Sequence, residues 1–155
     1  QLQMRAFERA LEMNLIPWLA GYRVLKRNAL LGDSLIDYLI GDERRDMFLE
    51  VKSAVLREGQ FAMYPDCPSA RGRRHVRELI AHVKAGGKAT ILFIAALPGV
   101  AVFKPNRLPD PKLAQLIVEA HHAGVEVKSV GLYYQPRDSS VRLSSADLAI
   151  NLEVL

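Results

Sequence analysis

Ser34-Leu35-Ile36-Asp37-Tyr38-Leu39-Ile40 and, after a seven-residue gap, Phe48-Leu49-Glu50-Val51-Lys52-Ser53 carry the residues on which the fold of this 155-residue chain turns. The first stretch is an apolar strand with a single carboxylate, Asp37, which is costly to bury without a partner, a proton or a metal. In the second, the two-residue repeat of a strand sends Glu50 and Lys52 to the same face. Asp37 and Glu50 stand thirteen residues apart with a turn between them. Paired as a hairpin, the two strands bring both carboxylates and the ammonium to one edge of a sheet.

Upstream, Met4, Phe7, Leu11 and Leu15 recur in steps of three or four, which predicts a helix over 4–15 with Glu8 and Glu12 on a neighbouring face. Ile16-Pro17-Trp18-Leu19 and Gly21 end it. Residues 24–31 and 34–40 read as strands joined by a Gly32-Asp33 turn, and 47–56 and 60–64 as two more. After the turn Pro65-Asp66-Cys67-Pro68-Ser69, a helix starts near Arg71 or Gly72, buries Val76, Leu79, Ile80 and Val83, and closes at Gly86-Gly87. Residues 89–97 are apolar on both faces, the mark of a central strand covered on each side. Asp110-Pro111 caps and opens a further helix, with Leu113, Leu116, Ile117 and Ala120 as its stripe and Gly124 as its stop. Residues 125–134 form a last good strand, and the tail from Val141 is a short addition. The expected fold class is α/β, a mixed central sheet flanked by helices, in one domain spanning 1–155.

Composition narrows the class. Half the residues are hydrophobic and a quarter charged, which excludes intrinsic disorder. The apolar stretch from Ala89 to Phe103 is broken by Thr90, Pro98 and Gly99. It falls short of the roughly 18 residues a membrane-spanning helix needs. A lone Cys67 and the lack of an opening secretion signal point to a cytoplasmic setting. The net charge of +4 is concentrated. Between positions 71 and 88 lie Arg71, Arg73, Arg74, Arg77, Lys84 and Lys88 against one acid, Glu78, while the rest of the chain is nearly neutral. Such a cationic face suits DNA phosphates, whose neutralisation releases counterions; a merely solvated helix face is the competing reading.

Asp37, Glu50 and Lys52 form a chemically sensible set. Two carboxylates hold a hard cation such as Mg²⁺ or Mn²⁺, which lowers the pKa of a bound water and stabilises charge on a phosphodiester. Lys52 would orient that water or neutralise the phosphoryl oxygens, and Glu8 or Glu12, if the opening helix packs beside the strands, would add a ligand or general base. The competing view is an exposed same-face ion pair of little worth.

That order of helix, strands, helix and strand, with those residues, resembles the PD-(D/E)xK restriction-endonuclease-like superfold. More specifically, the chain resembles the C-terminal nuclease-like domain of the sugar fermentation stimulation protein (SfsA) family. The resemblance is carried by Glu8 to Leu11 with Ile16-Pro17 and Gly21-Tyr22, by Ser34-Leu35-Ile36-Asp37, by Leu49-Glu50-Val51-Lys52-Ser53, and by Tyr64-Pro65-Asp66-Cys67 with Arg71-Gly72, His75 and Glu78-Leu79. Asp110-Pro111 and Gly124-Val125-Glu126 continue it. It implies a DNA-binding protein whose Asp37, Glu50 and Lys52 match the superfold's metal-and-lysine core, with Glu8 as the acid its first helix often supplies. Asp66, Arg71 and His75 match family positions without a clear role. Leu35 stands where the family usually has Arg, and the family's N-terminal OB-fold is expected to be absent, with Gln1 hinting at upstream residues removed.

Other residues have local readings. His75, Glu78 and His82 share a helix side and could ligate zinc, against which Glu78 is expected to pair with Arg74. His121-His122 complement a helix end, Cys67 in its Pro-flanked turn reads as a packed small residue over a nucleophile, and Tyr133-Tyr134 as a half-buried strand end over a base-stacking pair. Three functions follow: a metal-dependent deoxyribonuclease, a non-specific DNA-binding regulator that keeps the fold without cleavage, or a structural domain whose charges only solvate it.

Overall fold

The computed structural model describes residues 2–153. Helix α1 (Leu2–Glu12) ends three residues before its apolar period does, because Asn14 adopts a left-handed φ of 54° and the chain then enters a short 3-10 turn, Pro17–Leu19. Strands β1 (Arg23–Leu31), β2 (Ser34–Gly41) and β3 (Asp46–Ala54) form an antiparallel meander. The first turn is Gly32-Asp33, with Gly32 at φ 57°, as its composition requires. Strands β4 (Leu56–Glu58) and β5 (Phe61–Tyr64) lead to helix α2 (Ala70–Lys84), whose N-cap Ser69 accepts from the Gly72 N–H. Then follow β6 (Ala89–Ala95), β7 (Val102–Pro105), helix α3 (Pro111–Ala123), β8 (Glu126–Gln135), β9 (Ser140–Ser145) and β10 (Ala149–Ile150).

The main sheet is mixed, in the order β1-β2-β3-β6-β8-β9; β3, β6 and β8 run parallel and the outer pairs antiparallel. On one face α2 and α3 bury Val76, Leu79, Leu113 and Ile117 with Ile91 and Phe93 of β6. On the other, α1 buries Phe7, Ala10 and Leu11 with Leu92 and Ile94. Every β6 residue is buried, which is why that strand reads as a continuous apolar run. Asp110 caps α3 as its spacing predicts, accepting from the Leu113 N–H, and it also accepts from the Ser69 N–H and Arg73, tying the starts of α2 and α3 together.

Two expectations need extension. A second sheet, in the order β10-β7-β5-β4, packs Tyr64 and Phe103 against Phe93 of the first, and its strand β7 has no clear signal in the sequence. Four residues after a Pro98-Gly99 break, containing Lys104 and Pro105, become a strand through parallel pairing with β5 on one side and β10 on the other. The tail from Val141 is also no loose addition: β9 closes the main sheet against β8 and β10 completes the second. Among the described residues no helix is long and apolar enough to cross a membrane.

Candidate functional site

The site lies where the meander forks. β2 and β3 pair from Gly41↔Asp46 to Tyr38↔Leu49, and there the ladder stops. One residue on, side chains replace backbone acceptors: the Asp37 N–H donates to Glu50 Oε1 (3.0 Å), and the Val51 N–H donates to Asp37 Oδ2 (2.8 Å). On its other side β2 skips a pair as well. Arg27↔Tyr38 and Ala29↔Ile36 are in register, while Asn28 between them turns to a left-handed φ of 52°. Ile36 packs with the α2–α3 layer and Tyr38 with the α1 layer, so β2 changes face at Asp37. Two carboxylates at a splayed strand end thus satisfy N–H groups that would otherwise be stranded.

Glu50 and Lys52 share a face, as the strand period requires, and Lys52 Nζ sits 2.8 Å from Glu50 Oε2. Glu50 is 2% exposed, and its second partner is His75 from α2, with Nδ1 at 2.6 Å from the same oxygen. A carboxylate only accepts, so His75 Nδ1 carries the hydrogen. Burial pushes the Glu50 carboxyl up, but the hydrogen bond from His75 and the charge of Lys52 outweigh it and hold it at about 2. Asp37 goes the other way. Burial first, and the Glu50 charge second, push it up to about 6 despite the Val51 N–H. Two neighbouring carboxylates therefore have their titrations driven apart, an arrangement common at functional sites.

Glu8 and Asp37 open on one polar cleft of about 420 Å³, lined also by Gln3, Arg27, Tyr38 and Ser53. Both Glu8 oxygens are engaged. Arg27 Nε and Nη2 donate to Oε2 and Oε1 at 3.0 and 2.5 Å, and the Tyr38 hydroxyl donates to Oε2 at 2.7 Å. The Arg27 hydrogen bond, opposed by burial and assisted by Tyr38, lowers the Glu8 carboxyl.

Helix α2 delivers its residues unevenly. His75 reaches the fork, and Arg71, one turn earlier and exposed, lies on the same helix side. Arg74, Arg77 and Lys84 are exposed, but Arg73 is drawn to Asp110 and partly covered. Glu78 does not pair with Arg74 as expected; its Oε2 accepts from the Asp33 N–H at 2.8 Å and clamps the β1–β2 turn. Nor does a zinc set form from His75, Glu78 and His82, since His75 faces Glu50 and His82 packs edge-on against Phe48. Asp66 is exposed in the loop after β5, beside Tyr64, and Cys67 is exposed rather than packed as expected, because its turn projects into solvent. Leu35 is half exposed, so an arginine at that position would lie at the surface. The sequence offers no sign of Arg27, Asn28 and Tyr38 as site residues, and for His75 it suggests only a zinc role, not its bond to Glu50. Nothing local marks Arg27 or Asn28 in an ordinary strand; the burial of Glu50 among apolar neighbours was the one available hint that a partner such as His75 must exist.

Among the described residues no group of three or more His, Cys, Asp or Glu side chains is arranged as a metal cage. The donor set nevertheless fits a hard cation of the Mg²⁺ type, which uses one or two carboxylates and completes its shell with water and substrate phosphate. Asp37 and Glu50, each accepting an N–H from the other's strand, are the two carboxylates that could hold one.

Comparison with known proteins agrees with this architecture. The family model described as the sugar fermentation stimulation protein RE domain matches residues 1–138. A sugar fermentation stimulation protein homolog of Pyrococcus furiosus is 50% identical over 135 residues, 87% of this chain and 59% of that protein. The homolog of Archaeoglobus fulgidus is 43% identical over 150 residues, 97% of this chain and 63% of its own length. The structure of Pyrococcus furiosus SfsA in complex with Ca²⁺ superposes with a TM-score of 0.93 at 47% identity, covering 97% of this chain and 64% of that one. The chain thus spans less than two thirds of the length of these relatives. With the family's domain matched over residues 1–138 and relatives at 43% and 50% identity, this chain belongs to the sugar fermentation stimulation protein (SfsA) family.

Proposed function

We propose that the chain is a divalent-metal-dependent phosphodiesterase acting on DNA. One observation carries the reading: the fork that brings Asp37, Glu50 and Lys52 together, with the basic helix α2 anchored to it through His75. Asp37 and Glu50 would hold Mg²⁺ or Mn²⁺, which when bound supplies an acidified water and a counter-charge for the phosphoryl oxygens. Lys52, fixed by Glu50, presents its ammonium beside that position and neutralises charge as a P–O ester bond of the DNA strand breaks. His75 keeps Glu50 ionised and oriented from behind, which is positioning rather than contact with substrate. Arg71, Arg74, Arg77 and Lys84 supply a cationic surface for the strand's phosphates. The Pyrococcus furiosus relative, solved in complex with Ca²⁺, supports a divalent cation as cofactor.

A second reading, a DNA-binding regulator without cleavage, is favoured by the engagement of both Glu50 oxygens, which leaves a cation to compete with Lys52 and His75. Incubation of single- and double-stranded DNA with the chain and millimolar Mg²⁺ or Mn²⁺, beside Asp37→Asn and Lys52→Ala, separates the two. Cleavage that is lost in both variants supports the first reading; salt-sensitive binding with no cleavage in any metal supports the second.

A further inference from the structure

The phosphodiesterase reading makes no use of the Glu8–Arg27–Tyr38 wall of the cleft. Arg27 lies directly across the β1–β2 ladder from Tyr38, so the two side chains stand side by side on one face. Tyr38 is almost fully buried, and its hydroxyl pins Glu8 Oε2 at 2.7 Å. Glu8 in turn grips Arg27 side-on through Nε and Nη2. This grip consumes one hydrogen on each of those nitrogens. A guanidinium has five, so three N–H donors remain, two on Nη1 and one on Nη2, in a plane that is already oriented. The Arg27 side chain is 62% exposed and lines the same cleft as Asp37. Beside it, the left-handed Asn28 breaks the strand and joins the cleft wall, the kind of backbone irregularity that collects at working sites.

Charge explains why such a group is needed. A phosphodiester approaching Asp37 also approaches Glu8, and two carboxylates would repel it. Arg27 neutralises Glu8 and leaves a planar fork of donors matched to a phosphate's oxygens. A metal at Glu8, by contrast, would have to share the carboxylate with Arg27 and Tyr38 and sit against the guanidinium charge.

We propose that Arg27 is a phosphate clamp, binding the non-bridging oxygens of a nucleic-acid phosphodiester at the cleft beside Asp37, and that Glu8 with Tyr38 anchors this arginine instead of ligating metal. The proposal rests on the reading of the site as one for a DNA strand.

The test is fluorescence anisotropy of a labelled DNA oligonucleotide with the full chain in Ca²⁺, across a salt series, beside thermal melting with and without Ca²⁺. Arg27→Gln is expected to weaken binding about tenfold and to reduce the slope of log affinity against log salt by about one, with the Ca²⁺-induced rise in Tm unchanged. Arg27→Lys should recover part of the affinity, since it restores charge without the fork, and Tyr38→Phe should weaken binding less than Arg27→Gln. An Arg27→Gln protein that melts normally and keeps wild-type affinity and salt slope overturns the clamp. So does loss of the Ca²⁺ shift in Glu8→Gln, which would make Glu8 a metal ligand. Failure of the phosphodiesterase reading looks different: Arg27-dependent DNA binding with no cleavage in any metal removes catalysis and leaves the clamp standing, whereas a wild-type chain that binds no DNA overturns both.

Discussion

Replacing Asp37 by Asn should make the metal-free protein more stable at neutral pH. Asp37 is mostly buried beside Glu50, and its carboxyl is pushed from 3.8 to about 6. A native pKa above the unfolded value means that ionisation works against the fold. The penalty is fully present above about pH 6, shrinks as pH falls through that value, and vanishes below the unfolded pKa. At about 1.4 kcal/mol per pH unit, the full penalty is about 3 kcal/mol. Asn removes the charge and keeps a carbonyl oxygen to accept the Val51 N–H, but loses the attraction of Lys52. The net gain at about pH 8 should therefore be roughly 1–3 kcal/mol, a rise in Tm of about 2–10 °C for a domain of this size. Near pH 4 it should fall below about 1 kcal/mol. Glu50 does not obscure this window. Its carboxyl is held at about 2, so its stabilising contribution is present above 4.5 and lost only as pH falls from there. Circular-dichroism melts and urea titrations of both proteins across this range, in chelator, measure the difference. In saturating Ca²⁺ the order should reverse, because a ligand at a thousand times its Kd adds about 4.1 kcal/mol to the wild type alone. A variant less stable than wild type at pH 8 in chelator, or an advantage that does not change with pH, refutes the reasoning.

Other substitutions probe the surrounding structure. His75→Ala strips the buried Glu50 carboxylate of one charge-assisted hydrogen bond and opens a cavity under α2; urea unfolding should show a loss of roughly 2–4 kcal/mol. Ser34→Ala should be neutral or stabilising by up to about 1 kcal/mol in the same assay, since the Ser34 hydroxyl is buried and, among the described residues, makes no hydrogen bond. A clear loss of stability there would reveal a partner for it. Asp110→Ala removes the α3 cap together with the acceptor for the Ser69 N–H and Arg73, and should cost about 2–3 kcal/mol in thermal melting.

Much of this was legible beforehand because it depends on neighbours in sequence. The hairpin turn at Gly32-Asp33, the Asp110-Pro111 start of α3 and the stripe of α2 are local signals, set by backbone preference and side-chain period. Strand β7 and the β9–β10 tail were not legible, since short strands are made by the partners they meet and those partners lie far along the chain. The same limit applied to helix α2. Its charge could be counted, but not that Arg73 is drawn to Asp110 or that Glu78 holds the Asp33 N–H.

The candidate site divides in the same way. Strand alternation put Glu50 and Lys52 on one face, and an acid in an apolar strand marked Asp37 as needing a partner; amino-acid order alone determined both. Only the tertiary structure decided what those residues do to one another. It splayed β2 from β3 so that each carboxylate caps the other's strand, brought His75 across from another layer to hold Glu50 ionised, and turned Glu8 from a free acid into the anchor of Arg27. The reason is physical. Residue type and spacing fix which face of an element a group occupies, whereas desolvation, charge coupling and hydrogen-bond competition depend on distances between elements that no stretch of sequence contains.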